Sequence, residues 1–110
     1  MEITTRDYQN SNVVRVTGRV DASNYAQLEA KLKDYIGMGR RHLVLEMDGT
    51  EYLSSAGARV LITAQKALKP MGGRLAIAQP SARVVDVLKL AGLDTLFPIY
   101  DTTVAALASE

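Results

Sequence analysis

Apolar positions along this chain keep two rhythms that take turns. Glu2 to Tyr8 alternates weakly and is rich in β-branched residues, which predicts an edge strand. Asn10-Ser11-Asn12 marks a turn and Val13 to Thr17 follows as a second strand, so the two should pair as an antiparallel hairpin. Gly18 is expected to end that strand, and a loop through Asp21 leads to Ser23 or Asn24 as the cap of a helix. Tyr25, Leu28, Leu32, Tyr35 and Ile36 then recur at helical spacing until Gly37 and Gly39 stop the run.

The rhythm changes again at Leu43 to Met47, an apolar run of strand length. Asp48-Gly49 and the segment Tyr52-Leu53-Ser54-Ser55-Ala56-Gly57 lead into a second amphipathic helix marked by Val60, Leu61, Ala64, Ala67 and Leu68. Pro70, Gly72 and Gly73 end it, and Leu75 to Ala78 reads as a strand. Pro80-Ser81 starts a third helix with Val84, Val85, Leu88 and Ala91 on one face, and Gly92 stops it. Phe97 to Tyr100 is a short strand, and Asp101 is expected to cap a last helix carrying Val104 and Leu107.

The order β-β-α-β-α-β-α-β-α predicts one α/β domain over residues 1–110. Its sheet should be mixed but mostly parallel, starting with the antiparallel hairpin. Strand side chains alternate between faces, so Leu43, Leu45 and Met47 point one way while Val44 and Glu46 point the other. Leu75 and Ile77 likewise oppose Arg74, Ala76 and Ala78, and Val14 and Val16 oppose Arg15 and Thr17. One face is apolar and the other mixed, which places the four helices mainly on one side.

Composition narrows the function classes. With 110 residues and 47% of them hydrophobic, the chain can bury a core without staples. It has no cysteine, which removes disulfides and thiol chemistry and fits a reducing, cytoplasmic setting. Thirteen basic and twelve acidic side chains give a formal net charge of +1, without the basic surplus expected of a nucleic-acid binder. Arg40-Arg41-His42 is the only basic cluster and reads as a solvated turn. Met1 to Asn10 lacks the apolar stretch of a signal peptide, and no window approaches the roughly 20 apolar residues that span a bilayer, so no membrane association is expected.

Catalytic chemistry finds little footing. His42 is the single histidine, set between arginines and a strand, where a surface role is expected rather than general-base work. Ser54 and Ser55 would have to share it to make a nucleophile–base pair. Asp48 and Glu51 flank the serines, but two carboxylates beside a turn fall short of a metal site. The glycine pairs follow helices and fit no phosphate loop, so no cofactor is expected.

What remains is the serine pair at a helix start, where unpaired backbone N–H groups and the positive dipole end collect. One reading makes Ser54 or Ser55 an N-cap. The other makes one of them a phosphoryl acceptor, because a charge of about −2 is tolerated there and changes the surface without breaking the fold. Arg59, four residues after Ser55, can reach the same end of the helix and partner the phosphate.

Four pieces in order resemble the STAS domain of the bacterial anti-sigma factor antagonist family. They are Gly18-Arg19-Val20-Asp21, the Leu43–Met47 strand, Tyr52 through Leu61, and the tail Leu90–Asp94 with Leu96–Asp101. The resemblance covers essentially the whole chain. It implies a partner-switching protein that catalyses nothing. The unphosphorylated antagonist binds an anti-sigma factor that is also a serine kinase of the GHKL ATPase type. Phosphorylation releases it, and a PP2C-type phosphatase restores it. The acceptor position falls on Ser55. The family carries aspartate just before it, where this chain has Ser54, so Ser54 stands as a rival acceptor. The implied contact surface is Gly18, Asp21 and Ser23 together with Ser54, Ser55, Ala56, Gly57 and Arg59. Asp21 reads equally as a turn residue. An alternative implied by the same family is a non-phosphorylated module serving as a scaffold or as a small-ligand or lipid-transport accessory. The edge strand Glu2–Tyr8 and the mixed sheet face also leave surface for a weak homodimer.

Overall fold

The alternating segments at the start of the chain do form a hairpin. In the computed structural model, which describes residues 1–109, β1 (Glu2–Asp7) and β2 (Asn12–Val20) pair antiparallel, with Glu2 opposite Thr17 and Asp7 opposite Asn12. Glu110, the last position of the expected 1–110 span, lies outside the described residues. The chain continues through α1 (Tyr25–Gly37), β3 (His42–Glu46), β4 (Thr50–Leu53) and α2 (Ser55–Leu68). A 3₁₀ turn (Lys69–Met71), β5 (Arg74–Ala78), α3 (Ala82–Leu90), β6 (Ile99–Tyr100) and α4 (Thr103–Ala108) complete the described fold.

The sheet order is β1-β2-β3-β5-β6, and every pairing after the hairpin is parallel. Strand alternation sorts the core into two layers, as expected. Val14, Val16, Leu43, Leu45, Leu75 and Ile77 face Leu28 and Leu32 of α1, Val60 and Leu61 of α2, and Val84 and Leu88 of α3. On the other face Val13, Val44, Ala76 and Ala78 cluster with Ala106 of α4, with Tyr100 and Leu107 at the margin. Three helices therefore lie on one side and the short α4 on the other. Among the described residues no helix is long and apolar enough to cross a membrane.

The mixed character of the second face is concentrated at Glu46, which is 5% exposed. Its carboxylate takes Arg6 at 2.9 Å, Arg15 at 3.0 Å and the Thr103 hydroxyl at 2.5 Å. Arg15 also reaches Asp48 at 2.5 Å. The bonds from Arg6, Thr103 and Arg15, Arg6 first, hold the Glu46 carboxyl well below its ordinary range, at about 2, against the opposing effect of burial.

Several expectations need correction. Gly18 does not end the second strand, which runs on to Val20. Gly18 adopts φ +93°, open mainly to glycine, and the pairing shifts register there as β2 takes on β4. The segment before the serines forms a strand that the predicted order lacked, anchored by the Thr50 hydroxyl on the Val16 carbonyl at 2.8 Å and by buried Leu53. Neither Ser23 nor Asn24 caps α1 with its side chain. Asn24 instead accepts from the Asp21 N–H at 2.9 Å and donates to the Arg19 carbonyl at 2.9 Å. Thr102, not Asp101, caps α4, accepting from the Ala105 N–H at 3.1 Å. Arg40 is no solvated turn residue. Its guanidinium holds the hairpin loop through Asn12 at 2.6 Å and the Tyr8 and Gln9 carbonyls at 2.8 and 3.1 Å.

Candidate functional site

At the junction of β4 and α2 the two serines divide the work between them. Ser54 has extended backbone, and its Oγ accepts from the Gly57 N–H at 3.1 Å. Its own N–H donates to the Val20 carbonyl at 2.9 Å, and its carbonyl accepts from the Ala58 N–H at 2.9 Å. Ser54 is therefore the N-cap of α2 and is tied to the end of β2. Ser55 is the first helical residue; it is exposed, and its hydroxyl has no partner among the described residues. The first turn carries no acidic side chain, so beyond the capped Gly57 N–H the Ser55 and Ala56 N–H donors and the positive end of the dipole have no anionic partner among the described residues.

Gly57 explains how the helix start sits so close to the sheet. A Cβ at this buried position would lie 2.8 Å from both Leu53 Cδ1 and Val20 Cγ1. Both neighbours are themselves buried, at 2% and 0% exposure, so neither has room to withdraw. Gly57→Ala is expected to lower stability by about 1–3 kcal/mol through overpacking, even though alanine favours a helix by roughly 1 kcal/mol. A fall in the urea midpoint at unchanged slope checks this; an equal or higher midpoint rejects it.

The Gly18–Ser23 segment, which is the end of β2 and the turn after it, meets this helix start through Val20. Arg19 also lies over the Tyr52 ring, 4.4 Å from its centroid, bracing the end of β2 against β4. Asp21 accepts from the Ser23 N–H at 3.0 Å and the Ser23 hydroxyl at 2.5 Å, and its carbonyl accepts from the Asn24 and Tyr25 N–H groups. These bonds, the Ser23 hydroxyl first, lower the Asp21 carboxyl below its ordinary value. Gly18 serves as a backbone position, its N–H on the Gly49 carbonyl at 2.9 Å. Ala56 is half-buried beside Ser55. Arg59 is exposed and makes no hydrogen bond or ion pair among the described residues, one helical turn beyond Ser55.

Sequence reasoning missed an apolar groove of about 530 Å³ between α2 and α3. Ser55 and Arg59 stand at its rim and Ile62, Val87, Leu90 and Leu93 line its walls. Leu90, 90% exposed, falls outside the α3 core positions Val84 and Leu88. An apolar residue off the buried stripe was the available signal.

His42 is half-buried at the first residue of β3, beside the start of β2, whereas Ser54 bonds the end of β2. The two are about 25 Å apart along the strand, too far for a nucleophile–base pair. Asp48 is committed to Arg15 and Glu51 is exposed on β4.

The STAS domain family model matches residues 2–106. BtrV of Bordetella bronchiseptica, a protein named for anti-sigma factor antagonism, is 30% identical over 109 residues, spanning 99% of this chain and 94% of its own. An anti-sigma factor antagonist from Mycobacterium paratuberculosis has a crystal structure that superposes with a TM-score of 0.89 at 25% identity, over 98% of this chain and 92% of that one. The Bacillus cell fate determinant SpoIIAA in its phosphorylated form shares the fold at a TM-score of 0.79 and 19% identity, over 98% of each chain.

Proposed function

We propose, from the premise that this chain belongs to the STAS domain family, that it is an anti-sigma factor antagonist acting by reversible protein–protein contact rather than by catalysis. Its partner is an anti-sigma factor with serine kinase activity of the GHKL ATPase type. Phosphorylation of Ser55 ends the contact, and a PP2C-type phosphatase renews it, all within the cytoplasm. The contact surface comprises the start of α2 and the loop from Gly18 to Ser23. The observation that carries this reading is the division between the serines: Ser54 is bound into the helix cap, while Ser55 offers an exposed, unpartnered hydroxyl. A relative of the same fold is described in a phosphorylated form, which supports a modification of this kind.

A phosphate on Ser55 suits its place. The free N–H groups and dipole of α2 attract it, and Arg59, a turn away, is available to it. The domain thus keeps its fold while the contact surface changes sign.

The test is direct. Incubated with ATP and a GHKL-type anti-sigma factor kinase, the protein should gain the mass of one phosphoryl group. Ser55→Ala should abolish that gain. Ser54→Ala should retain it while losing about 1 kcal/mol of stability from the missing cap. A gain that survives Ser55→Ala moves the site to another residue, and no gain at all favours a non-phosphorylated scaffold or ligand-transport role.

A further inference from the structure

We infer that two copies of this chain associate through the outer edge of β1, in one antiparallel register, so that a single sheet runs through both. β1 is the terminal strand of the sheet, bonded to β2 alone, and five of its six residues are exposed, Ile3 being the exception. Such an edge offers a row of unpaired backbone groups to another strand.

Backbone geometry limits how a second strand can dock. The Tyr8 N–H donates to the Ser11 carbonyl at 2.8 Å, which makes Tyr8 and Ser11 a hydrogen-bonded pair of the hairpin ladder. Bonded and non-bonded pairs alternate along an antiparallel ladder. Glu2, Thr4 and Arg6 therefore turn their N–H and C=O groups toward β2, and Ile3, Thr5 and Asp7 turn theirs outward. A second β1 must match outward residues with outward residues, so a slip of one position is forbidden.

Charge then selects among the registers that remain. With the two-fold axis at Thr4, Ile3 exchanges hydrogen bonds with Thr5 of the second copy, and Glu2 faces Arg6 twice by symmetry. Those charged pairs are of the non-bonded kind, whose Cα atoms lie about 4.5 Å apart and whose side chains lie closest. With the axis at Thr5, Ile3 would face Asp7 and no opposite charges would meet. With the axis at Arg6, two like charges would face each other. Glu2 has no partner among the described residues. Arg6 spends two nitrogens on Glu46 but remains 45% exposed, with donors to spare.

This edge pairs with Asn12–Thr17, while the start of α2 sits against Val20, so association leaves the Ser55 surface open. The inference therefore stands apart from the proposed switch. One short strand pair is a small interface, and a weak, concentration-dependent dimer is expected.

Sedimentation equilibrium from micromolar to about millimolar protein reads it. The average mass should rise from 11.9 kDa toward twice that value. Glu2→Lys places like charges in both pairs and should weaken association at least tenfold. Thr5→Pro removes an outward N–H that the β1–β2 ladder does not use, and should do the same. Glu2→Lys changes one exposed side chain, so it remains informative where Thr5→Pro fails to fold. A monomer throughout the range, or a dimer that both variants leave unchanged, overturns the inference.

Discussion

Ser55→Asp is expected to weaken binding of a GHKL-type anti-sigma factor partner by at least about 100-fold, with the melting temperature unchanged or slightly raised. Two opposite electrostatic settings of one side chain produce the contrast. In the free protein Ser55 is exposed at the first position of a 14-residue helix whose opening turn has no acidic group. A carboxylate there meets the positive end of the helix dipole, worth about 0.3–1 kcal/mol of stabilisation. In a contact that excludes water, the same carboxylate gives up its hydration, and a surface that accepts a neutral hydroxyl has no need of a group to pair with it. An unpaired charge so buried costs several kcal/mol, and each 1.4 kcal/mol is a factor of ten in affinity. Ser55→Ala, which adds no charge and touches no hydrogen bond, should bind as the wild type does and ignore ATP. Titration calorimetry of both variants, alongside thermal melts, makes the comparison. Binding of Ser55→Asp at wild-type strength places the contact elsewhere on the domain.

That result depends on which serine does what, which was not legible in the sequence. Either residue fits a helix start, and one position separates them. Backbone geometry identifies the cap, because only Ser54 has the extended conformation that turns its Oγ back to the Gly57 N–H. It also reinterprets the aspartate that the family carries at this place. Aspartate and serine are comparable N-caps, so serine at position 54 keeps the capping bond and loses only the charge. With that charge gone, the helix start is more open to an anion on Ser55.

Local rules carried the helices, and long-range pairing marked where they stop. α1, α2 and α3 lie where the 3.6-residue spacing of Leu28, Leu32, Val60, Leu61, Val84 and Leu88 put them. β4 went unread because only Thr50 and Leu53 of its four residues are buried, and its partner is the far end of β2. No local pattern reports a pairing of that kind. Gly18 looked like a stop signal for the same reason: a glycine at positive φ inside a strand is a register shift only once the strands on either side are known. Arg40 looked solvated because the Tyr8, Gln9 and Ser11 carbonyls and the Asn12 side chain that it holds lie some thirty positions earlier in the chain.

Glu46 lies on the sheet face opposite the three-helix layer, and its replacement tests the stability of the scaffold rather than the switch. Glu46→Gln is expected to lower stability at neutral pH by about 2–3 kcal/mol, a melting temperature roughly 10 °C lower for a domain of this size. The drop of its carboxyl from 4.5 to about 2 sets this scale, and solvent around Arg6 and Arg15, 45% and 33% exposed, screens part of it. The sign follows from the direction of that shift. In the folded protein Glu46 stays ionised down to about pH 2, whereas in the unfolded chain it takes up a proton below about 4.5. Its contribution is therefore complete above pH 4.5 and drains away as the pH falls toward 2. Asp7 and Asp48 are lowered in the same direction, by Tyr35 and Arg15 respectively, and add to the wild-type slope but not to the difference between the two proteins. Urea midpoints from pH 7 to pH 2.5 should show two curves that lie apart at neutral pH and converge in acid. A constant separation across that range would mean that the Glu46→Gln exchange costs packing alone, and that the arginine pairs contribute nothing net to this fold.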